Sequence, residues 1–62
     1  KKTMKIEIIF KSPFDEDRLF TNVVKAEYSC SCLFDVYIGS LDDGDIESFN
    51  INLIEEIIIT EE

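Results

Sequence analysis

Hydrophobic and polar residues alternate along most of this chain, and a period of two is typical of a half-buried β-strand. The first such segment runs from Met4 to Phe10. Ile9 interrupts its polar face, which indicates that the second face is covered as well. Residues 11–21 are irregular, and Ser12-Pro13 resembles the start of a helical turn, so we predict a loop with a single turn there.

Two further strands are predicted over about 22–28 and 30–38. In the first of them, Val24, Ala26 and Tyr28 share one face and Val23, Lys25 and Glu27 share the other. In the second, the core face carries Cys30, Cys32, Phe34, Val36 and Ile38. Only Ser29 is available as a turn centre between them. The two segments are therefore either one long bent strand or a hairpin with a very tight connection.

The segment Gly39 to Asp45 contains an Asp-Gly pair and predicts a turn into a fourth strand, 46–53. The last strand covers about 56–60, and its three consecutive isoleucines, 57–59, place bulky side chains on both faces. Either a loop packs across the outside of a closed barrel, or a second copy covers this surface. We therefore predict an all-β fold of four to five antiparallel strands, as a small sheet or an SH3/Sm-like barrel, that forms a homo-oligomer.

Length and composition agree with a single small β domain over residues 1–62. A chain of 62 residues buries only about 60% of the surface that its unfolded form exposes, so its core is marginal without a supplement such as self-association. The ten isoleucines favour strands over helices because β-branched side chains fit a pleated surface.

The net charge is −8, from fourteen acids against six bases. This charge argues against direct binding of a nucleic acid or an anionic membrane, and it permits a basic protein partner. The simpler interpretation is that the negative charge only keeps a small β domain soluble. No apolar run approaches the roughly 18 residues that span a bilayer, and no targeting segment is recognisable, so a cytoplasmic location is expected.

The residue types present argue against catalysis. Histidine is absent, which removes the commonest general base and zinc ligand. Cys30 and Cys32 are expected to be small buried core residues, since a zinc site would need further ligands. The acids of 42–45 lack the spacing of a calcium-binding loop and are expected to form a solvated turn. We predict no enzyme activity, no cofactor and no metal site.

The segment 14–20 is the best candidate for recognition, because two phenylalanines flank a charged cluster in a loop. An aromatic side chain there can stack on a flat ligand while Arg18 meets an anion. The alternative is that both phenylalanines cap the sheet and Arg18 pairs with Asp15 or Asp17. Exposed tyrosines and nearby lysines extend the candidate set. The predicted ligand-binding residues are Lys11, Phe14, Arg18, Phe20, Tyr28 and Tyr37.

In size, acidity and strand pattern (5–10, 33–39 and 49–60), the chain resembles the small acidic all-β proteins that bacteriophages use against host defences. That resemblance implies a binding protein that acts in the cytoplasm of the host bacterium. The first hypothesis is sequestration of a nucleotide-derived immune signal at sites on or between subunits. The second is a DNA-mimicking inhibitor whose acids bind a basic host protein. The third is a structural small-barrel assembly module.

Overall fold

The computed structural model describes residues 2–62 and confirms the all-β fold: five antiparallel strands form one sheet. The strands are β1 (Met4–Phe10), β2 (Arg18–Cys30), β3 (Leu33–Ile38), β4 (Asp45–Asn50) and β5 (Ile54–Glu61). Their order across the sheet is β4-β3-β2-β1-β5. A single 3-10 turn, Ile51–Leu53, connects β4 to β5.

β2 is the longest strand, with 13 residues, and it takes part in both halves of the sheet. Its first half pairs with β1 and its second half pairs with β3. The register shifts on both sides of Val23, and Asn22 adopts a positive φ of 57°, which asparagine tolerates better than most residues. The backbone oxygen of Asn22 accepts a hydrogen bond from the N–H of Gly39 (2.9 Å). This irregularity bends β2, so that the two halves of the sheet enclose a core.

The core lies on the concave face of the curved sheet. Its buried side chains are Ile6, Ile8, Phe20, Val23, Phe34, Val36 and Ile54. Phe49, on the edge strand β4, packs against Phe20 of β2 and Phe10 of β1, with ring centroids 5.7 and 6.0 Å apart. Because β1 lies three positions from β4 in the sheet, these contacts require strong curvature. No ladder joins β4 to β5 in residues 2–62, so both remain edge strands.

The predicted faces of β2 are partly wrong because the strand bends. The strand begins at Arg18, earlier than the predicted position 22. Val23 is fully buried in the core, against which Ala26 also packs, although the predicted alternation placed these two residues on opposite faces. A strict period of two fails here because the bulge inserts a residue and reverses the faces that follow it.

The end of the fourth strand also differs from the prediction. The strand stops at Asn50, whose side-chain oxygen accepts a hydrogen bond from the N–H of Asn52 (2.9 Å). This cap begins the 3-10 turn, and the N–H of Ile51 then bonds to the carbonyl of Cys32 (3.0 Å). Asparagine side chains compete with strand ladders in this way.

The three isoleucines of β5 are not buried on both faces within one chain. Ile57 is half-buried against the core, while Ile58 and Ile59 are exposed. β5 is an edge strand, so no neighbouring strand covers its outer side. The homo-oligomer that would cover these side chains stays a prediction.

Candidate functional site

The loop between β1 and β2, residues 11–17, is anchored at its start and contains one turn, as predicted. The N–H of Lys11 donates to the carbonyl of Leu53 (2.9 Å). Ser12 organises the turn: its carbonyl accepts from the N–H of Asp15 and its Oγ accepts from the N–H of Phe14, each at 3.2 Å. The turn projects Phe14 into solvent, where 93% of the residue is exposed. Phe14 therefore does not cap the sheet.

The carboxylates that follow Phe14 form no ion pair with any residue of 2–62. Residues 15–17 are all exposed. Within residues 2–62, ion pairs join Lys2 to Glu61 (4.0 Å) and Lys25 to Glu27 (3.5 Å). The loop thus combines an exposed aromatic ring with negative charge that nothing in the described chain neutralises. We call residues 14–17 the acidic aromatic loop.

Arg18 opens β2 and lies over aromatic rings instead of pairing with Asp15 or Asp17. Its Cζ is 5.0 Å from the ring centroid of Phe20 and 5.7 Å from that of Phe49. Cation–π contacts of this kind fix the guanidinium while leaving its N–H groups free to meet an anion. Phe20 itself is only 8% exposed and belongs to the core, so a ligand would meet Arg18 before this ring.

The two predicted tyrosines lie away from this loop and on opposite faces of the sheet. Tyr28 shares the core face with Phe34, its ring centroid 5.1 Å away, yet Tyr28 remains exposed. Tyr37 lies opposite Lys25 on the outer face, with the Lys25 ammonium 5.4 Å from the ring centroid. The six predicted residues therefore form three groups: Lys11, Phe14, Arg18 and Phe20 around the β1–β2 connection, Tyr28 alone, and Tyr37 alone.

Tyr28 borders a shallow groove that the sequence did not predict. The groove has a volume of about 300 Å³, and it is lined by Tyr28, Ile51, Ile54, Glu55, Glu56 and Ile57. It lies between the end of β2 and the start of β5. Its two glutamates are exposed, which makes the groove unsuited to an anionic ligand.

A second depression, of about 200 Å³, lies on the outer face of β1, β2 and β5. It is lined by Lys5, Glu7, Leu19, Ile58 and Thr60, and we call this set the outer-face patch. Leu19 is 63% exposed, so the patch presents apolar surface to solvent. The register places Leu19 and Ile58 on either side of Glu7. Leu19 is not among the predicted binding residues because its segment, 11–21, was predicted to be an irregular loop.

The cysteines are exposed, so the prediction that they are buried core residues is wrong. Cys30 ends β2, and Ser31 and Cys32 form the turn into β3. The connection is therefore the tight hairpin, one of the two predicted alternatives, but the predicted turn centre Ser29 is wrong because this residue lies within β2. The two Sγ atoms lie 3.2 Å apart. The small polar residues Ser29 and Ser31 were the available signal for a turn at this place.

The two thiols differ electrostatically. The pKa of Cys30 is lowered, first by a hydrogen bond from the backbone N–H of Cys32 and then by one from the Cys32 thiol. Further donors are the N–H of Leu33 and the side chain of Ser29. The pKa of Cys32 is raised, because its thiol hydrogen bonds to Cys30 and because it lies next to that charge.

The β3–β4 connection is a hairpin turn, as predicted. The Ser40 carbonyl accepts from the N–H of Gly44 (3.0 Å), and its Oγ accepts from the N–H of Asp42 (3.1 Å). Gly39 adopts a positive φ of 88°, which glycine permits. Nearby on β3, the buried Asp35 accepts a hydrogen bond from Ser48 Oγ (2.7 Å). Across residues 2–62, no three His, Cys, Asp or Glu side chains are grouped so as to hold a metal ion.

Comparisons of this chain with protein-family models, with curated proteins and with solved structures found no match. In the part of the chain that the structure describes, no helix is long and apolar enough to cross a membrane.

Proposed function

We propose that this chain is a non-enzymatic binding protein that captures a basic surface of another protein through its acidic aromatic loop. The observation that supports the proposal is the 93% exposure of Phe14 beside exposed carboxylates that have no ion-pair partner among the described residues 2–62. A fully exposed phenylalanine contributes nothing to the core, whereas aromatic side chains are the usual anchors of protein interfaces. A complementary partner has an apolar pocket bordered by lysine or arginine.

The charge of the whole chain supports this choice of partner. The net charge is −8, and the acids at positions 15–17, 42, 43, 45, 55 and 56 are all exposed. The negative electrostatic potential of these acids accelerates the encounter with a positively charged protein surface and makes the association sensitive to salt. The proposal therefore corresponds to the acidic inhibitor hypothesis, with a nucleic-acid-binding or defence protein of a bacterial host cytoplasm as the target.

The test compares two exposed apolar residues in acidic turns. Immobilised wild type, Phe14→Ala and Leu41→Ala are exposed to bacterial lysate, and the retained proteins are identified and then purified for titration at low and high salt. Leu41 is the matched control because it is 57% exposed in the other acidic turn. We expect a basic partner whose affinity falls by roughly 30-fold or more in Phe14→Ala and is unchanged in Leu41→Ala.

Two outcomes contradict the proposal. One is that Phe14→Ala binds the same partner with wild-type affinity. The other is an affinity that does not depend on salt, because a contact between acidic and basic surfaces must weaken as salt screens it.

The second candidate function is sequestration of a nucleotide-derived signal, and the position of Arg18 favours it. Arg18 rests on two aromatic rings without a carboxylate partner in residues 2–62, and Lys11 belongs to the same connection. Phosphate oxygens would meet these two cations while a base stacks on Phe14. The neighbouring acids at 15–17 repel an anion, which is why we rank this function second.

Isothermal titration with ADP-ribose derivatives and cyclic nucleotides tests the second candidate directly. We expect heat from at least one ligand with the wild type and none with Arg18→Gln. Absence of heat with every member of the panel would exclude the nucleotide function and leave the protein-binding proposal untouched.

We also propose that the outer-face patch mediates self-association. Its two apolar side chains, Leu19 and Ile58, lie on either side of Glu7, and Lys5 carries the opposite charge two residues away on the same strand. A two-fold related copy can place Lys5 against Glu7 of its partner while the apolar side chains meet. Burial of this surface would supplement a core that is small for an independent domain.

Native mass spectrometry tests the self-association. Wild type is expected to form a defined oligomer. Leu19→Glu is expected to be monomeric, because it replaces an apolar side chain of the patch with a second carboxylate beside Glu7. Leu41→Glu adds the same charge outside the patch and should keep the oligomer. A wild-type protein that is monomeric at all concentrations, or a Leu19→Glu variant that assembles normally, contradicts the proposal.

A further inference from the structure

We propose that Cys30 and Cys32 form a reversible dithiol–disulfide site that reacts with low-molecular-weight disulfides. This site is independent of the binding functions proposed above. Both thiols are exposed at the tip of the β2–β3 hairpin, and their Sγ atoms are already 3.2 Å apart. Formation of a disulfide requires these atoms to approach to about 2.05 Å.

The hairpin turn makes this chemistry possible. On a straight strand, residues two apart lie roughly 6.5–7 Å from each other with parallel side chains, at the limit of disulfide geometry. Here the chain reverses at Ser31 and Cys32, so the two side chains converge. The carbonyl of Cys32 is held by the N–H of Ile51 (3.0 Å), which ties the turn to the rest of the fold.

The surroundings assign different roles to the two sulfurs. Cys30 Sγ faces hydrogen-bond donors from the backbone of Cys32 and Leu33, from the Cys32 thiol and from the side chain of Ser29. These donors stabilise a thiolate, so the pKa of Cys30 is lowered and Cys30 is the nucleophile. The pKa of Cys32 is raised, which keeps its proton in place until Cys30 has reacted.

The reaction balances as two exchange steps. The Cys30 thiolate attacks one sulfur of a small disulfide RSSR, forms a Cys30–S–SR mixed disulfide and releases RS⁻. Cys32 then loses its proton to water and attacks the Cys30 sulfur, which breaks the mixed disulfide and releases the second RS⁻. Both thiolates leave as thiols after protonation. In sum, two protein thiols are oxidised to one disulfide and RSSR is reduced to two RSH.

The test uses the full chain and oxidised glutathione as the probe. Reduced protein is incubated with increasing concentrations of oxidised glutathione. The reaction is quenched in acid, and the mass of the intact protein is measured by mass spectrometry. Wild type is expected to lose the mass of two hydrogens without retaining glutathione, and excess dithiothreitol should restore the starting mass. Cys32→Ser should stop at the first step and retain one glutathione on Cys30.

The single variants also separate the two roles. Serine keeps a donor at each position, so the lone Cys30 of Cys32→Ser should react with iodoacetamide at a lower pH than the lone Cys32 of Cys30→Ser. Far-ultraviolet circular dichroism should show the same β-sheet spectrum for both, since both side chains are exposed.

Three results would overturn the inference. Wild type retains two glutathiones instead of closing a disulfide, or it forms covalent dimers between chains. Alternatively, the two single variants react with iodoacetamide at equal rates over the same pH range, which would remove the difference between nucleophile and resolving thiol.

Discussion

Phe14 and Phe20 belong to the same segment of sequence but have opposite structural roles, and exchanging each for leucine separates those roles. Phe20 is 8% exposed and Phe14 is 93% exposed. Leucine keeps much of the apolar volume of phenylalanine, so the substitution mainly removes contacts of the ring itself. We expect Phe20→Leu to destabilise the fold and Phe14→Leu to leave its stability unchanged.

The magnitude follows from the contacts of the Phe20 ring. Its tilted contact with Phe49, at 5.7 Å between centroids, contributes about 0.5–1.5 kcal/mol. The Arg18 guanidinium 5.0 Å above the ring adds about 0.5–1 kcal/mol. Phe20→Leu should therefore lower the free energy of unfolding by roughly 1–2.5 kcal/mol. This is a large share of the roughly 3–9 kcal/mol expected for a domain of 62 residues.

Thermal and urea unfolding, followed by circular dichroism, measure the difference. At about 4–8 °C per kcal/mol for a domain of this size, Phe20→Leu should lower Tm by roughly 4–20 °C. The urea midpoint should fall with an unchanged m value. Phe14→Leu should stay within about 0.5 kcal/mol of the wild type, as exposed substitutions usually do.

Equal losses of stability in both variants would contradict this prediction, and so would a Phe20→Leu variant that unfolds like the wild type. Equal losses would mean that Phe14 is packed against the protein in solution. The acidic aromatic loop would then have no free anchor, and the proposed protein-binding function would lose its support.

Three further substitutions test local features by the same unfolding measurements. Gly44→Ala should lower the free energy of unfolding by about 1–3 kcal/mol, because the added Cβ would collide with backbone atoms of Ser40. An unchanged free energy of unfolding would contradict the turn geometry. Ser48→Ala should cost about 1–3 kcal/mol, since it removes the hydrogen bond to the buried Asp35, and an unchanged Tm would place Asp35 in contact with water. Asn22→Ala should cost about 1–2 kcal/mol at its positive φ, whereas Asn22→Gly should be tolerated; equal effects would refute the proposed bend.

The candidate site was predictable only where it depends on local chemistry. Ser12 and Pro13 specify a turn within a few residues, so the single turn and the loop position of Phe14 followed from the sequence. The position of Arg18 over two aromatic rings did not follow from the sequence, because one of these rings, Phe49, belongs to β4, which is distant along the chain. The groove beside Tyr28 likewise depends on residues from two strands that meet only after β2 bends.

The cysteine pair shows how a reliable local rule can lead to a wrong result. Alternation through Cys30, Cys32 and Phe34 places all three on one face if the strand is continuous. The structure turns at Ser31 and Cys32, so the alternation across that point is accidental. Two residues are enough for a hairpin, and a two-residue turn leaves little trace in a periodic pattern when serine and cysteine occupy it.

Local sequence patterns and composition were enough to predict the all-β class, the bounds of β1, the loop with its single turn, the β3–β4 hairpin and the acidic charge. Each of these depends on side chains within a few positions of one another, or on composition. The bend of β2, the exposure of Ile58 and Ile59, and the convergence of the two thiols could not be predicted in this way and are seen only in the folded chain. These features depend on which strands become neighbours, and strand pairing is settled by the packing of the whole core.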